Sequence, residues 1–190
     1  MKSFTVLISG SGSNLKALLD ACARGEIPAR VNAVIADREC SGRQHAEAAA
    51  VPFILVDRKR ADFAAALAAA IPAATDLVVL AGFLSILPPA LVARFPQRII
   101  NLHPSLLPKY GGAGMYGLRV HQAVLDAGER ESGCTVHYVD SGIDSGAVIA
   151  QARVPVLADD TPHTLQARIQ PQEHRQLNRS EERRVGKECR

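Results

Sequence analysis

The chain reads as an α/β protein: a Rossmann-like, doubly wound, mostly parallel sheet with an antiparallel C-terminal extension. Three observations predict this. Strand-like runs such as Phe4–Ser9, Val31–Ala36 and Asp76–Gly82 are apolar throughout rather than alternating, so neither face of their sheet is wet. Helical patterns separate them, which argues for parallel strands joined by right-handed crossovers. After residue 110, the runs Cys134–Val139 and Val148–Val156 are separated only by Asp140–Ala147, the spacing of an antiparallel pair.

The elements follow in order. Phe4–Ser9 is a short β-rich run. Ser13–Arg24 carries Leu15, Leu18, Leu19 and Cys22 at three- and four-residue spacings, the pattern of a one-sided helix. Val31–Ala36 predicts a strand, Gln44–Ala50 a helix and Pro52–Val56 a strand. Ala61–Ile71 is alanine-rich and favours helix. Asp76–Gly82 is a strand, Pro88–Phe95 a short helix and Gln97–Leu102 a strand. Leu118–Ala127 predicts a helix, as does Thr161–Gln172, with Thr161 as its N-cap.

A chain of 190 residues, 47% apolar and without Trp, suits one compact domain. No apolar run reaches the roughly 18–20 residues that cross a bilayer. The N-terminus enters a strand pattern directly, without the layout of a signal peptide. These features predict a cytoplasmic protein with no membrane partner. Cys22, Cys40, Cys134 and Cys189 are far apart, so neither a metal site nor a disulfide framework is indicated. The formal charge of +3 arises wholly in residues 175–190, which hold six basic and three acidic residues; the rest is neutral. A nucleic-acid partner therefore has little support.

Four segments carry possible chemistry. In Asn101-Leu102-His103-Pro104-Ser105-Leu106-Leu107-Pro108, an amide and an imidazole two apart point to one side at a strand exit stiffened by prolines. Such exits present catalytic groups in α/β enzymes; the segment alone is equally compatible with a hydrogen-bonded turn. Ser9-Gly10-Ser11-Gly12-Ser13-Asn14 links a strand to a helix, where free N–H groups suit a phosphate. Leu15 stands where a dinucleotide fingerprint needs its third glycine, and Lys16 is not in a Walker setting, so a phosphate monoester fits better than a dinucleotide. Ala81–Pro88 is an apolar strand exit able to wall in a flat heterocycle, or simply core. Asp140–Gly146 brings two carboxylates into one loop, where Asp144 beside His103 would orient the ring and raise its pKa. Lys109–Gly117 is glycine-rich, as a mobile lid or an ordinary surface loop would be.

Taken together, VLISGSGSNLKALLDA (6–21), DLVVLAGFLSIL (76–87), INLHPSLLPKYGG (100–112), GCTVHYVDSGIDSGAVIAQARVPV (133–156) and QPQEH (170–174) resemble the phosphoribosylglycinamide formyltransferase family. The resemblance implies the formyltransferase fold over a single domain at residues 1–175. It implies formyl transfer from 10-formyltetrahydrofolate to the amine of glycinamide ribonucleotide in purine biosynthesis, without a metal, by a monomer or homodimer acting on small molecules. Asn101, His103 and Asp144 match the family's catalytic residues. Gly12, Ser13, Asn14, Leu15 and Lys16 match its phosphate loop, and Gln170, Pro171, Gln172 and Glu173 a segment touching the ribonucleotide. Arg60, Leu84, Ser85, Ile86, Leu87, Asn101, Asp140, Ser141, Gly142, Ile143 and Asp144 match positions around the folate, Arg60 on the weakest alignment. The Gly-Met-Tyr-Gly loop at 114–117 resembles one branch of the family. Formyltetrahydrofolate hydrolase, methionyl-tRNA formyltransferase and a non-catalytic folate- or phosphosugar-binding module are the rivals.

After Arg175 the resemblance stops. The family continues with a helix and a final strand, whereas here the chain reads QLNRSEERRVGKECR, charged and without apolar periodicity. Residues 176–190 are expected to be a disordered or non-native tail in place of the family's closing element. A version with that helix and strand restored should melt at a higher temperature than this chain; equal thermal midpoints would refute the expectation.

Overall fold

The computed structural model describes the backbone of residues 1–186 and the side chains of residues 1–180. In chain order the elements are β1 (Lys2–Ile8), α1 (Ser13–Ala23), β2 (Ala29–Ala36), α2 (Arg43–Ala48), β3 (Phe53–Leu55), α3 (Phe63–Ala70), β4 (Leu77–Leu80), α4 (Pro89–Arg94), β5 (Ile99–His103), α5 (Leu118–Asp126), β6 (Glu131–Tyr138), β7 (Val148–Pro155) and α6 (Pro162–Gly186).

The strands form one sheet in the order β3-β2-β1-β4-β5-β6-β7. The first five are parallel, and β6 and β7 add antiparallel neighbours beyond β5. This is the predicted doubly wound sheet with its antiparallel extension. Apolar strands are buried on both faces because the pleat sends alternate residues into two separate cores. Phe4, Val6 and Ile8 of β1 and Ile100 and Leu102 of β5 join α1, α5 and α6. Leu7, Val78, Leu80 and Ile99 join α3 and α4 on the opposite face. The chain winds from β1 outward to β2 and β3, then returns to β4 on the other side. The carboxyl ends of β1 and β4 are therefore adjacent and their following loops part, leaving the crevice where α/β sheets bind ligands.

The last helix departs from expectation. Its start is as predicted: Thr161 Oγ1 accepts the Thr164 N–H at 3.2 Å, with Pro162 in the first turn. Its end is not at Gln172, for α6 runs through Pro171 to Gly186. Leu177 is fully buried in the core that holds Leu165 and Ile169, and Ser180 is buried beside it. Residues 176–186 of the segment expected to be a disordered or non-native tail are thus helical rather than disordered, and Leu177 continues an apolar stripe that the surrounding charges mask in the sequence. Residues 187–190 of that expected tail lie outside the described residues. The extension has a cost. His174 Nε2 and Asn178 Oδ1 are buried without hydrogen-bond partners among the described residues, and a buried polar atom left unpaired is destabilising.

Helix α5 turns Val120, His121 and Val124 inward. His121 is 1% exposed and its Nδ1 has no partner among the described residues. Burial pushes its pKa down to about 4, with the nearby His103 ring acting in the same direction.

Two outcomes are expected. Leu177→Ala should lower the unfolding free energy in urea by about 2–5 kcal/mol; no loss would put this residue outside the core. For His121, the unfolded chain takes up a proton near pH 6.5, whereas the folded chain resists until about pH 4. The unfolded state binds more protons in that window, so stability falls as pH drops through it. His121→Leu should remove roughly 3 kcal/mol of that decline between pH 7 and pH 4, read from urea midpoints; parallel curves for both chains would refute it.

Candidate active site

The site is assembled by β5 and its antiparallel neighbour. Asn101 and His103 are two apart on β5 and share a face. The β5–β6 register sets His137 opposite Asn101 and Thr135 opposite His103. Asp144 arrives from the β6–β7 connection with a left-handed backbone, φ +55°, a conformation that aspartate tolerates better than most residues. Its carboxylate is the centre of the cluster. Oδ1 accepts from Asn101 Nδ2 at 3.3 Å and Oδ2 from the Gly112 N–H at 3.0 Å. His103 Nδ1 lies 3.5 Å from Oδ2, and His137 Nε2 lies 3.6 Å from Oδ1. Gly111 makes room for this approach: a Cβ there would stand 2.5 Å from Leu107 and 3.3 Å from the Asp144 Cβ.

Hydrogen-bond partners fix the rings. His103 Nε2–H donates to the Tyr110 carbonyl at 2.8 Å. His137 Nδ1 lies 2.8 Å from the Tyr138 carbonyl, and its Nε2 lies 3.1 Å from Asn101 Nδ2 and faces the Asp144 carboxylate. Asn101 Nδ2 thus sits between His137 and Asp144. The charge balance corrects one expectation. Burial pushes the His103 pKa down and outweighs the upward pull of Asp144 and of the Tyr110 carbonyl, so Asp144 raises the ring's pKa as expected but the net shift is downward. Burial also opposes the charge on Asp144. There the His137 contact, the His103 ring and the Gly112 N–H win, and hold the carboxyl below its usual range.

A cavity of about 640 Å³ opens in front of this cluster. At one end lie Gly10–Asn14. Gly12 needs its positive φ of +74°, and a Cβ there would meet the Gly42 Cα at 2.9 Å. No side chain caps α1, so the N–H groups of residues 13–15 face outward from the helix end. Of the predicted phosphate loop, Gly12, Ser13 and Asn14 line the cavity. The Leu15 side chain is buried in the core, and Lys16 pairs with Asp20 at 2.5 Å, away from the site. Gln170 and Glu173 also line the cavity, one turn apart on α6. Glu173 accepts from Asn14 Nδ2 at 3.1 Å, and burial pushes its carboxyl up. Pro171 is exposed, and Gln172 faces a different depression beside Glu26.

The opposite wall is Leu84, Ser85, Ile86 and Leu87 with Asp140, Gly142, Ile143 and Asp144; Ser141 is not part of it. Arg60 does not reach the cavity either. Its guanidinium is bound to Asp62 by two hydrogen bonds of 2.8 Å. The sequence reading missed four residues that matter. His137 emerges only from the β5–β6 pairing. Gln166 lies one turn before Gln170 on α6 and lines the cavity with it. Tyr116 lines it from the glycine-rich loop. Asp37, fully buried at the end of β2, accepts from Ser85 Oγ at 2.5 Å and from Arg38 at 2.9 and 2.8 Å. Burial opposes its charge, but these bonds and Ser9 hold its carboxyl below the usual range. Because Ser9 Oγ also accepts the Leu84 N–H at 2.8 Å, the wall is tied to the ends of β1 and β2.

The formyl transferase family profile matches residues 2–180. Over 178 residues the chain is 40% identical to phosphoribosylglycinamide formyltransferase from Escherichia coli, covering 90% of this chain and 82% of that protein. It is 36% identical over 181 residues to the chloroplastic phosphoribosylglycinamide formyltransferase of Arabidopsis thaliana, spanning 92% of this chain but 62% of that longer protein. The crystal structure of glycinamide ribonucleotide transformylase 1 from Symbiobacterium toebii superposes with a TM-score of 0.91 at 41% identity, covering 98% of this chain and 88% of that one. A formyltetrahydrofolate deformylase from Pseudomonas syringae shares the fold at a TM-score of 0.88 but only 25% identity, with 98% of this chain and 62% of that one covered. Sheet order, site geometry and a match over residues 2–180 agree: the chain belongs to the formyl transferase family.

Proposed function

We propose that the chain transfers a formyl group from 10-formyltetrahydrofolate to the primary amine of glycinamide ribonucleotide, giving the N-formyl product and tetrahydrofolate in purine biosynthesis. One observation carries this reading: a single cavity joins the uncapped end of α1 to the Asn101–His103–Asp144 cluster. A substrate with a phosphate at one end and a nucleophile at the other fits that span. The outward N–H groups at residues 13–15 suit the phosphomonoester, and Glu173 and Gln170 suit ribose hydroxyls. The apolar wall of Leu84, Ile86, Leu87 and Ile143 suits the flat folate heterocycle.

The residues divide the chemistry as follows. The amine attacks the formyl carbon and the carbonyl electron pair moves to oxygen. Collapse breaks the bond to the folate nitrogen, and the proton lost by the amine ends on that nitrogen. His103 has acceptors at both ring nitrogens, an arrangement that suits the imidazolium, while burial favours the neutral ring. A developing oxyanion offsets the burial, so the charge on His103 is favoured most in the transition state. Asn101 donates to the same oxyanion, drawing on the longer of its two bonds, the one to Asp144. Asp144 stays ionised, orients His103 and accepts from a water that relays the proton.

The purified chain should form tetrahydrofolate from 10-formyltetrahydrofolate at a rate dependent on glycinamide ribonucleotide. His103→Ala and Asp144→Asn should each lower kcat by about 10²–10⁴-fold. Release of formate at a rate independent of the amine would overturn transfer in favour of hydrolysis.

A further inference from the structure

We propose that Arg119, stacked on Tyr116 at the rim of the cavity, is the cation that binds the phosphomonoester of the ribonucleotide. The inference rests on the reading above and supplies what the cavity itself lacks. Its carboxylates and imidazoles are His103, His137, Asp140, Asp144 and Glu173, with no lysine or arginine lining it among the described residues. A phosphate dianion beside those carboxylates needs more than the partial positive charge of one helix end, roughly half an elementary charge.

The neighbouring cations are committed elsewhere. Lys16 is paired with Asp20, Arg38 is doubly bonded to Asp37, and Arg60 is doubly bonded to Asp62. Arg119 is exposed and has no carboxylate partner among the described residues. Its guanidinium lies 5.1 Å from the centroid of the Tyr116 ring. Stacking on an aromatic face holds a guanidinium while leaving its in-plane N–H donors free for a phosphate.

Tyr116 ties this guanidinium to the cavity, which it lines together with Gly10–Asn14 of the phosphate loop. Arg119 also stands on a fixed base. It is the second residue of α5, whose Val120 and Val124 are buried, while Gly112, Gly114 and Gly117 before it adopt positive φ.

Calorimetry on the full chain tests this with glycinamide ribonucleotide, its phosphate-free riboside and inorganic phosphate as competitor. Arg119→Ala should weaken ribonucleotide binding about 10- to 100-fold and abolish competition by phosphate, leaving the riboside and the folate unaffected. Arg119→Lys should restore part of the loss, keeping the charge without the fork. Tyr116→Ala should weaken the ribonucleotide in the same direction by less. Unchanged ribonucleotide affinity in Arg119→Ala, or equal losses for ribonucleotide and riboside, would overturn the proposal while the transfer reading stood. Arg119-dependent binding in a chain that transfers no formyl group would support the subsite and sink the transfer reading. Absence of ribonucleotide binding in the parent would sink both.

Discussion

The Asp144 carboxylate is the constraint around which the site is built. It accepts from Asn101 on β5 and from the Gly112 backbone in the glycine-rich loop, and it faces the rings of His103 and His137. Three separate stretches of chain therefore meet at one charge. Its left-handed backbone and that of Tyr110, whose carbonyl holds His103, are both uncommon for residues other than glycine. Such conformations persist only where surrounding contacts over-determine them.

The sheet explains why that charge faces a ligand-sized space. Parallel strands with right-handed crossovers place every first-half loop at one edge, and the reversal between β1 and β4 parts two of them. The α1 turn and the Leu84–Leu87 wall come from the two strands flanking that reversal. The antiparallel β6 then runs back along β5, so its own exit delivers Asp140–Asp144 to the same edge. Asp37 completes the scaffold: an ionised carboxylate with no exposure is stable there only because Arg38 and Ser85 saturate its oxygens.

Burial opposes charge at both ends of the cavity. It pushes the His103 pKa down although the Asp144 carboxylate and the Tyr110 carbonyl favour the cation. It pushes the Glu173 carboxyl up at the other end, against the bond from Asn14. Fixed positive charge is kept to the rim, where Arg119 stands on Tyr116.

Much of this was legible in the sequence because it depends on short-range periodicity. Apolar runs without alternation predict buried parallel strands, and the two-residue step from Asn101 to His103 puts both on one face. Thr161 announces the start of α6 through a local hydrogen bond. What depends on distant contacts was not legible. His137 joins the cluster only when β6 pairs with β5. Leu177 carries α6 beyond its expected end by fitting a core made of residues far away in the chain. The sign of the His103 shift required knowing how deeply the ring is buried, since one neighbouring carboxylate raises a pKa and the protein around it lowers it. The sequence by itself determined the layers and the order of elements, both set by local pattern. Tertiary structure alone decided which groups meet at Asp144 and how deeply each is buried, because those groups come together from distant parts of the chain.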